Sequence, residues 1–138
     1  MHRTIATAAA LGALLLVPAA PAAADPEQWN SPSGNIRCGS FSRQNLRCDM
    51  RHLGNARKPR PKSCEFDYGN SFGIQGNGRR GYLMCVSDAV GGPDAPTLPY
   101  GTVWRRNGFR CTIRPSAVRC TNKRGHGFSL RRGRQLLF

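Results

Sequence analysis

Histidine is the first place to look for phosphate or acid–base chemistry in a small basic chain. This one, 138 residues long, has three: His2, His52 and His126. Cleaving a phosphodiester needs a general acid and a general base beside the phosphate, with cations to hold the developing charge. His126 stands in RGHGFSLRR, between two glycines and near Arg124, Arg131 and Arg132 in sequence. A small secreted hydrolase of nuclease type, using His126, is therefore one reading. The other, which we prefer, is that the glycines shape a turn and the imidazole hydrogen-bonds backbone there. His52 opens a basic stretch and is expected to be exposed.

Carboxylates offer less. The seven are Asp25, Glu27, Asp49, Glu65, Asp67, Asp88 and Asp94. A glycosidase needs two of them across a cleft. Glu65 and Asp67 alternate beside Cys64 as if on one strand face, but surface or turn positions suit them better. The chain has no Gly-x-Ser-x-Gly, His-Glu-x-x-His or phosphate-binding glycine loop. No cofactor is implied. No Cys-x-x-Cys pair exists either, so no metal site is expected.

Positive charge is the dominant chemical feature. Twenty-one Lys and Arg face seven acids, for a formal charge of +14. Arg far outnumbers Lys. That suits bidentate recognition of phosphate or carboxylate, and it also suits a GC-rich genome. The charge runs hold Arg57, Lys58, Arg60 and Lys62, then Arg79 and Arg80, Arg105 and Arg106, and Arg131 and Arg132. These ten are the candidate binding residues. Pooled at one end of a fold, they would hold an anionic polymer: a wall phosphate polymer, nucleic acid or lipid headgroups. Scattered, they would only confer solubility. Tyr100 and Trp104 are the few aromatics usable for base stacking, which argues against sequence-specific nucleic-acid reading.

The elements that must position these residues follow from cysteine spacing and alternation. Residues 1–24 read as a secretory signal peptide: a basic start, an apolar run too short to span a bilayer, and an Ala-Ala-Ala cleavage pattern. That leaves residues 25–138 as one secreted domain. All six cysteines lie in it: Cys38, Cys48, Cys64, Cys85, Cys111 and Cys120. An exported chain with an even count predicts disulfides. NIRCGSFSRQNLRC and GFRCTIRPSAVRC repeat one phrase, and around each cysteine apolar and polar residues alternate with period two. Folded as hairpins, Cys38 faces Cys48 and Arg37 faces Asp49, while Cys111 faces Cys120 across the loop Arg114-Pro115-Ser116-Ala117. Cys64 and Cys85 then pair by elimination. The competing frame staples the two hairpins to each other, as layers of a sandwich. Strands are also expected at 72–75, 81–86, 102–104, 128–130 and 135–138, with Trp29 to Asn35 as a lead-in and turn. No segment keeps a helical period. The fold class is all-β, a small disulfide-stabilised sandwich or roll of short antiparallel hairpins.

SPSGNIRC, LRCDM, CEFDYG, CVSD, LPYG, VRCTN and GHGF, in that order from Ser31 almost to Phe138, resemble an uncharacterised family of small secreted actinobacterial proteins. The resemblance implies no activity. It implies a shared cysteine frame together with Asp49, Asp67, Asp88, LPYG and GHGF, which suit turn-shaping and capping as well as they suit a site. The family pattern has Trp where this chain has Tyr68, Thr at Ala89, Ser at Arg131 and Tyr at Gln135. Its other members are less basic, so the charge belongs to this chain. The expectation is a monomeric, non-enzymatic secreted protein, extracellular or associated with the cell envelope, without a transmembrane segment.

Overall fold

The computed structural model describes residues 23–138. Of the expected signal peptide, all but residues 23 and 24 lie outside the described residues. Ten strands follow in chain order: β1 Gln28–Asn30, β2 Ile36–Gly39, β3 Asn45–Met50, β4 Asp67–Gln75, β5 Tyr82–Val86, β6 Val103–Arg106, β7 Phe109–Ile113, β8 Val118–Thr121, β9 Gly127–Arg131 and β10 Arg134–Leu137. Strands β1 to β5 form one antiparallel meander and β6 to β10 a second. The described residues include no helix.

The two sheets pack face to face through matching rows of side chains. In the first, Trp29, Cys38, Cys48, Phe72 and Leu83 are paired across five consecutive strands. In the second, Trp104, Cys111, Cys120, Phe128 and Leu137 repeat the same residue types in the same strand order. The rows stack on each other. The rings of Trp29 and Trp104 are 6.2 Å apart, and those of Phe72 and Phe128 are 6.4 Å apart. Between them the Sγ atoms of Cys48 and Cys120 lie 3.8 Å apart. A sandwich of aligned sheets results. Its centre is dry, because both tryptophans and both of these disulfides are fully buried. Burying each phenylalanine alone contributes about 2–3 kcal/mol.

The disulfides are Cys38–Cys48, Cys64–Cys85 and Cys111–Cys120. The two sheets thus form without any disulfide between them, and the competing frame is not adopted. The four-residue loop after Ile113 and the Ile113–Val118 pairing are as expected. Cys64 lies before β4 and ties the end of the basic loop, residues 51–66, to the edge strand β5. In β4 the register shifts between Tyr68 and Phe72. Gly69 sits there with φ +98°, and the chain at Arg57 and Lys58 passes over it, the Lys58 carbonyl 3.3 Å from where a Cβ would be. A bulge with left-handed backbone and a close crossing both require glycine.

Three expectations are corrected. Trp29 is not in a lead-in but at the centre of β1, fully buried. Three residues are too few for a period-two signal, and pairing with β2 makes the strand. Glu65 lies outside β4 and Asp67 is its first residue, so the two carboxylates do not share a strand face. Arg37 does stand opposite Asp49, but the ion pair of Asp49 is with Arg47, two residues earlier on the same strand face.

Candidate anion-binding cleft

Strand direction sorts the basic residues into two ends. The β1–β2 turn, the start of the basic loop, the β7–β8 loop and the β9–β10 turn gather at one end. There they enclose a cleft of about 380 Å3. Its floor is the inner face of both sheets, at Ile36, Val118 and Leu130. Its rim carries Arg51, Arg114, Arg131, Arg132 and His52, with Tyr100 alongside, and no carboxylate lines it.

Each rim residue is held by its own turn. In SPSGN, the Gly34 N–H donates to the Ser31 carbonyl, with Gly34 at φ +68°. The Ser31 hydroxyl accepts from the Ile36 N–H at 3.1 Å. Asn35 then clamps the basic loop to this turn. Its carbonyl accepts from the Arg51 N–H at 2.9 Å. Its side-chain amide donates to the His52 carbonyl at 3.1 Å and accepts from the His52 N–H at 2.8 Å. Arg51 and His52 are thereby fixed beside the cleft. Opposite, the Arg132 carbonyl accepts from the Gly54 N–H at 2.6 Å. Asn55 and Gln135 exchange two amide hydrogen bonds, both 3.0 Å. These bonds seat the β9–β10 turn. Near Tyr100, Gly101 at φ +92° donates its N–H to the Ile113 carbonyl at 2.7 Å.

Three carboxylates, Glu27, Asp49 and Asp88, are engaged in ion pairs elsewhere. The ion pairs among the described residues use only Arg47 and Arg106 as cations. Arg47 grips both oxygens of Asp49 at 2.7 and 2.8 Å and reaches Asp88 Oδ1 at 2.8 Å. Burial works against the Arg47 charge, but the hydrogen bonds from Asp49 and Asp88 outweigh it and hold the guanidinium pKa above its ordinary value. The same Arg47 hydrogen bond holds Asp88 below the usual carboxylate range. Asp49, 8% exposed, also accepts from the Val90 N–H at 2.9 Å. This network straps residues 88–90 to β3 of the first sheet.

Of the sequence-predicted binding residues, Arg131 and Arg132 are at the cleft. Arg57, Lys58, Arg60 and Lys62 are exposed in the basic loop that starts there, with Lys58 near Arg134 at the seam between the sheets. Arg79 and Arg80 fall in the β4–β5 turn, at the opposite end. Arg105 is exposed on β6, its N–H bound to Asp25. Arg106 is partly buried, paired with Glu27 at 2.9 Å and bound to the Asp25 carbonyl. His126 lies in the β8–β9 turn with its N–H on Asn122 Oδ1 at 3.1 Å. Arg131 ends β9, five residues after His126 and about 16 Å away along extended chain, and Arg132 follows it. Proximity in sequence does not bring His126 to the cleft arginines. Arg51 and Arg114 are missed as site residues because each stands apart from the charge runs, and His52 is read only as an exposed loop residue. The signal for them was positional: each borders a turn at the same end of adjoining hairpins.

These features define a disulfide-stapled, ten-stranded β-sandwich with a basic cleft at one end. A family model described as a family of unknown function (DUF6636) matches residues 9–138, and the chain belongs to that family. No curated protein and no solved structure matches it. No helix among the described residues is long and apolar enough to cross a membrane.

Proposed function

We propose that the protein is a secreted, non-enzymatic binding protein that holds anionic polymers at or outside the cell envelope, through the basic end of the sandwich. The observation that carries this reading is the cleft with four arginines on its rim and no carboxylate in its lining. Like charges held together in the free protein repel one another, and the fold holds the backbone of Arg51 and Arg132 there through hydrogen bonds with Asn35 and Gly54. An anion relieves that repulsion. The exposed cations of the basic loop extend the field from the cleft and steer a polymer to it. The three disulfides suit an oxidising compartment. The test is binding of the purified protein to a fluorescent DNA duplex, used as a generic polyanion. Affinity is expected near the micromolar range and should fall steeply with salt. Gln at all of Arg57, Lys58, Arg60 and Lys62 should weaken it with the circular dichroism spectrum unchanged. Salt-independent binding, or none, rejects the reading.

A further inference from the structure

We infer that the cleft is a subsite for a terminal phosphate monoester carried on a small ring or polyol body; this rests on the polyanion reading and narrows it to the end unit of such a polymer. Three observations lead there.

The first is the shape of the site. Attraction to a bare polyanion needs only charge on a surface. Here the cations surround a hollow with Pro115 and Ala117 in its wall and Tyr100 beside it, above the buried side chains of Ile36, Val118 and Leu130. Tyr100 is 44% exposed, so its ring is open to a ligand. Apolar and aromatic surface of this kind contributes to binding only if the ligand brings carbon as well as charge. The volume, about 380 Å3, lies near the lower end of small-molecule pockets. It suits one unit, not an oligomer.

The second is the number and origin of the charges. Arg51 comes from the basic loop, Arg114 from the β7–β8 loop, Arg131 from the end of β9 and Arg132 from the β9–β10 turn. None makes an ion pair within the described protein. A carboxylate has one charge and two oxygens, which one guanidinium satisfies. A phosphate monoester carries up to two charges and three free acceptor oxygens. Several arginines converging from different loops match the phosphate.

The third is the supply of neutral hydrogen-bonding groups. Ser33 and Ser116 line the same hollow. These hydroxyls can exchange hydrogen bonds with ligand hydroxyls, which a sugar or polyol body provides and inorganic phosphate lacks.

The experiment is calorimetry on the intact disulfide-bonded protein with glucose 6-phosphate, glycerol phosphate, inorganic phosphate and glucose. The organic phosphates should bind at least about tenfold more tightly than inorganic phosphate, and glucose should not bind. Arg114→Gln or Arg131→Gln, both at exposed positions, should weaken the ester by about tenfold or more, the loss of one charge-assisted hydrogen bond. Tyr100→Ala should erase the preference over inorganic phosphate while leaving phosphate itself bound. Gln at Arg57, Lys58, Arg60 and Lys62 should leave ester binding intact. Displacement of the bound ester by phosphatidic acid vesicles would assign its source to a lipid headgroup, and no displacement to a soluble or polymeric ester. Equal affinity for inorganic and organic phosphate overturns the inference, as does an unaffected Arg114→Gln. Failure of every ester to bind, with DNA still bound, removes this inference and leaves the polyanion reading standing. Failure of both removes both.

Discussion

The Sγ atoms of Cys48 and Cys120 touch across the sandwich at 3.8 Å, yet each is bonded within its own sheet. The pairing is settled by strand register: Cys38 faces Cys48 and Cys111 faces Cys120 on directly opposed positions. Peptide mapping under non-reducing conditions should therefore recover Cys38–Cys48, Cys64–Cys85 and Cys111–Cys120. A peptide joining residues 45–50 to residues 118–121 would contradict the fold. Replacing Cys111 and Cys120 together with Ala should cost about 2–4 kcal/mol in chemical denaturation, since the bond constrains the unfolded chain and its sulfurs fill the centre of the core.

Gly127 has a different kind of indispensability. It pairs with Thr121 where β8 and β9 begin to diverge, and a Cβ there would collide with the Cys120 carbonyl oxygen. That oxygen is backbone and cannot rotate away. Gly127→Ala should destabilise the protein by about 3 kcal/mol or more, or prevent its folding. Gly92→Ala is the control. Nothing lies within 4 Å of its added methyl, so its unfolding midpoint should stay within about 0.5 kcal/mol of the parent. Equal behaviour of the two variants would mean the backbone crossing at Cys120 is wrong.

The repeated Arg-Cys phrase carried most of the fold. Each arginine is the outward neighbour of an inward cysteine; period two points to both hairpins and their two disulfides, and Cys64–Cys85 follows by elimination. What the phrase concealed was its extent. The repeat continues through Trp29 and Trp104 on one side and Phe72 and Phe128 on the other, but residues 51–66 are inserted only in the first half. Unequal spacing hides the match in sequence, and register reveals it. The cleft was legible only in part. Arg131 and Arg132 stood out as a run. Arg51 and Arg114 are separated by more than sixty positions and meet only because turns from two sheets share an end. Runs of charge mark loops, but the distribution of loops between ends depends on strand direction.

Acid should loosen the strap over the first sheet. Arg47 holds Asp88 below its ordinary pKa by a direct hydrogen bond. A carboxyl group with a lowered native pKa contributes stability above its unfolded value and loses it as pH falls through the native value. Melting temperature should thus drop between about pH 5 and about pH 2, and Asp88→Asn should show a smaller drop over that window. Because Asp88 is exposed, the difference should shrink in high salt. Identical pH profiles for parent and variant would show that the Arg47–Asp88 contact contributes nothing measurable.

The last prediction separates placement from total charge. Arg114, Arg131 and Arg132 stand at the cleft, while Arg79 and Arg80 stand at the far end in the β4–β5 turn. If the basic end is the binding surface, each cleft arginine neutralises about one phosphate of a DNA probe. Replacing all three with Gln should lower the slope of log affinity against log salt by roughly three. Arg79 and Arg80 replaced together should weaken binding only through the general field, with the slope nearly unchanged. Net charge alone makes the opposite forecast: both variants would lose affinity in proportion to charges removed, irrespective of which end lost them. Titrations of both variants at several salt concentrations decide between the two. Parallel losses would mean that the arginines act as a diffuse cloud and that the cleft is not where the polymer sits.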